Sequence, residues 1–191
     1  MGYGMVMPIA QDWTAERARA LPGDGNRYEV LDGVLAVTPA PSGVHQLVVG
    51  AIYRLLYDYT ARHGFGVTVF SPADLEFSAA RLLQPDCFVA ATTNGRRPTS
   101  WEQMRRLLLA VEVVSPASAR RDRITKRRIY MQEGVGEYWI VDVNSRVIDR
   151  WRPDDERPEV LDSVLRWEPV PGIPPLDLDI GALFVEALGE G

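Results

Sequence analysis

The stretch Leu107-Leu-Leu-Ala-Val-Glu-Val-Val-Ser115 is apolar on both faces of a strand, and it constrains the fold more than any other segment. Alternation places Leu108, Ala110, Glu112 and Val114 on one side and Leu109, Val111 and Val113 on the other. A strand without a polar face belongs in the middle of a sheet, with helices over both sides. The rest of the chain supplies those layers. The spacing predicts a short helix over 14–21, then a hairpin of Arg27–Leu31 and Val34–Thr38 turning at Asp32-Gly33. Ser42 starts a helix whose apolar positions Val44, Leu47, Val48, Ala51, Ile52, Leu55, Leu56 and Tyr59 recur at helical spacing as far as His63-Gly64. Further strands are expected at 66–70, 74–77 and 86–91. After the central strand, Ser118 is expected to cap a helix reaching about Glu133, with Gly134 as its stop. Strands at 137–141 and 147–152 flank the Asn144-Ser145 turn, and 180–188 reads as a terminal helix. The order predicts an α/β domain, a central mixed β-sheet flanked by helices with an N-terminal β-hairpin.

With 191 residues and 46% hydrophobic content, the expectation is one domain over 1–191 with a short helical extension at 1–26. The stretch 1–11 lacks the basic start and apolar run of a signal peptide, and no segment reads as a membrane span. Cys87 is the single cysteine, so no intrachain disulfide can form and a cytoplasmic setting is expected. A net charge of −5 gives no overall attraction to a polyanion. Nucleic-acid binding would therefore need a local basic patch or metal ions.

Glu112 is the one charge in the central strand, and a carboxylate there is costly unless a cation compensates it. Its alternatives are a buried ion pair with an arginine or a role as metal ligand or catalytic acid. Asp86 follows Gln84-Pro85 at the mouth of the next strand, because proline lacks a ladder donor and suits a strand start. Acids on adjacent strands lie about 5 Å apart, close enough to share a hard cation through oxygen ligands. The only lysine, Lys126, stands against twenty arginines. A compact ammonium whose pKa can be tuned differs from a guanidinium fork, so its retention marks a candidate for chemistry. Asp122, Lys126, Ile129 and Tyr130 fall along one helical stripe, which turns the amine toward the sheet. The alternative is an exposed Asp122–Lys126 pair. Arg120, Arg121, Arg123, Arg127 and Arg128 crowd the same helix, either as a solvated face or as a phosphate-binding patch.

Several motifs recur in one order: Tyr28-Glu-Val-Leu-Asp-Gly33, the turn from Pro39 to His45, Gln84-Pro-Asp86, Val111-Glu-Val-Val-Ser-Pro116, Asp122-x-x-x-Lys126-x-x-x-Tyr130, and Gly134-Val-Gly-Glu-Tyr-Trp-Ile-Val-Asp142. Together they closely resemble the Uma family of restriction-endonuclease-like proteins, whose fold is that of the PD-(D/E)xK nucleases. The resemblance runs from about Tyr28 to the C-terminus. It implies a restriction-endonuclease-like fold and a metal-dependent endonuclease that hydrolyses DNA phosphodiester bonds with Mg²⁺ or Mn²⁺. It makes Asp86 and Glu112 the metal-binding acids, with Glu29 contributing. The lysine of the wider pattern, two residues beyond the second acid, is Val114 here, and Lys126 resembles its displaced replacement. Arg120, Arg121, Arg123 and Arg127 would contact nucleic acid, and a homodimer is expected because duplex cutting calls for two sites. His45 matches a family position without an assigned role. Two other readings remain: a nuclease-fold domain that binds nucleic acid or protein without cutting, and an acid/base enzyme such as a glycosidase using Asp86 and Glu112.

Overall fold

The computed structural model describes residues 12–115 and 118–190. Residues 1–11 of the expected N-terminal extension, Pro116 of the 111–116 motif and Gly191 lie outside the described residues. The chain opens with α1 (Ala15–Arg19), where Thr14 accepts the Arg17 N–H as N-cap. β1 (Arg27–Leu31) and β2 (Val34–Thr38) follow as an antiparallel hairpin with Asp32 and Gly33 both at positive φ, as the turn requires. Next come α2 (Gly43–His63), β3 (Gly66–Phe70), β4 (Leu75–Ser78), β5 (Arg81–Leu83) and β6 (Cys87–Ala91). Ser42 caps α2 through the His45 N–H, and Gly64 closes it at φ 72°.

β7 (Leu107–Val114) is the buried strand the sequence predicts. After it comes one continuous helical segment in three parts: α3 (Ala119–Arg121), a π-helical turn (Asp122–Lys126) and α4 (Arg127–Gln132). Ser118 precedes it, but its side chain bonds within the Ser115–Ser118 turn and makes no cap bond to the helix. The predicted side-chain cap is corrected on that point. β8 (Glu137–Asp142), β9 (Val147–Trp151), β10 (Glu159–Leu161), β11 (Val164–Trp167), β12 (Leu176–Asp179) and α5 (Ile180–Leu188) complete the chain.

A six-stranded sheet in the order β10-β9-β8-β7-β6-β3 forms the centre, and only the β7–β8 pair within it is parallel. The hairpin does not join it. β1 and β2 combine with β5 and β4 in a separate antiparallel sheet, and β11–β12 form a third. One face of the central sheet packs on α2 and α5 through Ile52, Leu56, Val111, Trp139, Trp167 and Phe184. Full burial of Ile52 and Leu56 contributes roughly 1.5–3 kcal/mol each. The other face packs on β4, β5 and α4 through Leu75, Leu83, Ala110, Ile129, Tyr130 and Ile140. Alternation along β7 fails at one place. The ladder passes from the Val89–Leu109 pair to Ala90–Leu107, a bulge that skips Leu108 and packs it against the α2 layer instead of the predicted Ala110 face.

Candidate active site

Three strands and one helix bring the predicted acids and the lysine together on the α4 side of the central sheet. The Cys87–Val111 register places Asp86 across from Glu112, one step beyond the last ladder pair. Both are buried, as are Glu29 on β1 and Asp122 in the π-helical turn. Lys126 is 1% exposed, so the expectation of a stripe turned toward the sheet holds and the exposed-pair alternative does not. Its Nζ donates to Glu112 Oε1 at 2.8 Å and lies 2.9 Å from Glu29 Oε1 and 3.7 Å from Asp122 Oδ1. Tyr130, one turn further, donates its hydroxyl to the same Glu112 oxygen at 3.1 Å. The Gln84 N–H donates to Glu29 Oε1 at 2.8 Å and ties the end of β5 to the acid of β1.

Burial and charge act in opposition on these groups. Desolvation pushes the Glu112 carboxyl well above the usual carboxylate range, against the Lys126 ammonium and with help from Asp86, Asp122 and Glu29. Asp122 is raised for the same leading reason. Burial would lower Lys126, but Glu112, Glu29 and Asp122 outweigh it and hold the amine firmly protonated. Desolvation also raises Tyr130, which stays a neutral donor.

Asp86 differs. Oδ1 accepts from Arg27 Nη1 at 2.6 Å, while Oδ2 accepts from the Val113 N–H at 2.9 Å and faces His45 Nε2 at 3.0 Å. Burial alone would raise it, yet the His45 bond and the Arg27 charge bring the carboxyl down to about 2. An ionised oxygen carries no proton, so the ring nitrogen facing it is the protonated one. His45 Nδ1 is buried without a hydrogen-bond partner.

Asp86, Glu112, Asp122, Lys126, Arg27 and His45 line a cavity of about 230 Å³, with Thr38, Ser42 and Arg121 among its other walls. Sequence reasoning singled out Asp86, Glu112, Asp122, Lys126, Arg121 and His45 among its members, and placed Glu29 beside them. It did not single out Arg27. Strand alternation could have found it, since positions 27 and 29 of β1 share a face. The expected arginine patch divides. Arg120 is exposed, and Arg121 donates to Thr38 Oγ1 at 2.6 Å on the cavity wall. Arg123 bridges Asp142 and Asp149, Arg127 stacks over Trp151 at 4.5 Å, and Arg128 pairs with Asp32.

Among the described residues, no group of three or more His, Cys, Asp or Glu side chains is placed so that it could hold a metal ion. The donor chemistry nevertheless fits a hard divalent cation that keeps some of its waters. Four buried carboxyl groups, Glu29, Asp86, Glu112 and Asp122, stand against three neighbouring cations, Lys126, Arg27 and Arg121. Burial leads the upward shifts of Glu112 and Asp122, and the neighbouring acids add to it. Asp122 Oδ1 is buried with no hydrogen-bond partner.

A central mixed sheet flanked by helices on both faces, as here, is a restriction-endonuclease-like fold. The family profile described as "Putative restriction endonuclease" matches residues 15–181, and the chain belongs to that family, Uma2. Among solved structures, it is similar to "a putative nuclease belonging to DUF820" from Anabaena variabilis ATCC 29413. The two share 18% identity with a TM-score of 0.70, over 91% of this chain and 98% of the other. No curated protein matches the chain.

Proposed function

We propose that this protein is a metal-dependent endonuclease acting on DNA, with Asp86, Glu112, Glu29 and Lys126 as its working groups. The observation that carries the reading is the meeting of Asp86, Glu112 and the chain's only lysine on the wall of one cavity. Asp86 and Glu112, with Glu29 contributing, would hold Mg²⁺ or Mn²⁺. Such an ion lowers the pKa of a bound water and neutralises charge on a phosphodiester. Lys126, locked in its protonated form, offers a fixed positive charge for the negative charge that develops in hydrolysis. Arg27 and His45 keep Asp86 ionised, while His45 and the Val113 N–H hold it in place. Of the helix arginines, Arg120 is exposed and Arg121 lies on the cavity wall, and these two suit backbone phosphates.

The reading takes the chain as one domain working in the cytoplasm, and as a homodimer because two strand cuts call for two sites. Light scattering tests the dimer. Supercoiled plasmid, single-stranded DNA and RNA, incubated with Mg²⁺, Mn²⁺ or EDTA, test the activity. Metal-dependent cutting that disappears in Asp86→Asn supports it. One observation favours a second reading, a nuclease-fold domain that binds nucleic acid without cutting: both oxygens of Asp86 already accept hydrogen bonds from the protein. Retained DNA binding with no cleavage under any metal would select that reading.

A further inference from the structure

Lys126 and Arg27 both neutralise acids of the cavity, but they are held differently. The Lys126 ammonium touches Glu29, Glu112 and Asp122, so moving it would strip three carboxyl groups at once. Among the described residues, the Arg27 side chain makes one hydrogen bond, from Nη1 to Asp86 Oδ1, and its Nε is buried with no acceptor. Its side chain is 18% exposed and reaches both the main cavity and a smaller one of about 150 Å³ beside Gln46 and Ser71. Asp86 does not depend on it for position, because Oδ2 keeps His45 Nε2 and the Val113 N–H whichever way the guanidinium turns. Oδ1 is thus the Asp86 oxygen whose one protein donor sits on a movable side chain.

We propose that Arg27 is a placeholder cation, which occupies Asp86 Oδ1 in the ion-free protein and passes to a phosphate of the polynucleotide backbone when a divalent ion takes that oxygen. The inference rests on the metal-dependent nuclease reading. A guanidinium has five donors in a planar fork that matches phosphate, and Arg27 spends one of them on Asp86. Exchanging a single positive charge for a double one at Asp86 also reduces the excess of negative charge that the four acids create. Arg27 then carries its own charge toward the substrate instead of toward the acid.

The test measures Mn²⁺ affinity by electron paramagnetic resonance, and duplex DNA affinity by fluorescence anisotropy in Ca²⁺, for the wild type and Arg27→Gln. The variant is expected to bind Mn²⁺ about tenfold more tightly, since a competing charge beside the ion is gone. It is expected to bind DNA more weakly. Unchanged or weaker Mn²⁺ binding in the variant overturns the placeholder role, as does unchanged DNA binding. A wild-type protein that binds no Mn²⁺ overturns the metal-dependent reading and this one together. A second measurement needs only folded wild type. The Arg27 Nε–H resonance, identified by its loss in Arg27→Lys, should shift on adding Mg²⁺, and a resonance that stays in place while Mn²⁺ binds overturns the proposal.

Discussion

Lys126→Met removes the buried ammonium while keeping an unbranched side chain of similar bulk, so it isolates charge from packing. The amine stands 2.8 Å from Glu112 Oε1 and 2.9 Å from Glu29 Oε1, at 1% exposure. Breaking a buried pair from one side costs about 3–5 kcal/mol, because the partner is left as an uncompensated buried charge. We expect a loss of that size in urea denaturation followed by circular dichroism at about pH 8. The acids can relieve it by taking up protons. Glu112 already titrates above its ordinary range, and removing the lysine that opposes this shift raises it further. A carboxyl whose folded pKa exceeds its unfolded one weakens the fold as pH climbs between the two values, so the loss should shrink at about pH 5. Glu112→Gln combined with Lys126→Met should recover about 1–3 kcal/mol through the coupling between the two sites. A Lys126→Met protein as stable as the wild type at both pH values would refute the reasoning, since the ammonium would then be holding nothing.

Four other outcomes follow from the same geometry. Lys126→Arg keeps the charge but forces a planar fork into a filled site, so cleavage should fall by about 100-fold or more while DNA affinity in anisotropy titrations persists. Asp86→Asn and Glu112→Gln should each abolish metal-dependent plasmid cutting, as should EDTA added to the wild type, with far-UV spectra unchanged. The Asp86 carboxyl, depressed from 3.8 to about 2, contributes about 2 kcal/mol. That contribution is complete above its ordinary range and lost as pH falls toward 2, so Asp86→Asn should flatten the acid limb of the stability curve. Arg120→Gln should lower the salt dependence of DNA binding by about one unit of slope, whereas Arg123→Gln, which breaks contacts to Asp142 and Asp149, should lower the melting temperature instead.

Long periodic elements with marked ends were legible before any coordinates. Ser42 and Gly64 bracket α2, Asp32-Gly33 turns the first hairpin, and the buried β7 sits in the middle of the main sheet. β5, β10, β11 and β12 escaped notice because they are three or four residues long, too short for a period to show. The hairpin's placement in a second sheet was hidden for a related reason: its partner is β5. In the site, Lys126 could be picked out because composition made it conspicuous. Asp86 and Glu112 stood out as a charge in an apolar strand and an acid at a proline-marked strand mouth. Arg27 and His45 act through Asp86, a partner 59 and 41 residues away; alternation can put Arg27 on the face of Glu29, but the pairing that gives either residue its role is long-range and leaves no local pattern.

The π-helical turn at Asp122–Lys126 fixes the angular phase between the two halves of the helical segment. One extra residue in that coil advances everything downstream by about 100° relative to what precedes it. Ile124, 56% exposed, lies within the turn and contributes little to any core. A reading frame that lost this codon would keep every buried side chain and every charged group named above. It would nevertheless turn the lysine and Tyr130 out of register with Arg121 and Thr38. The site is therefore more sensitive to the length of this segment than to the chemistry of its outer face.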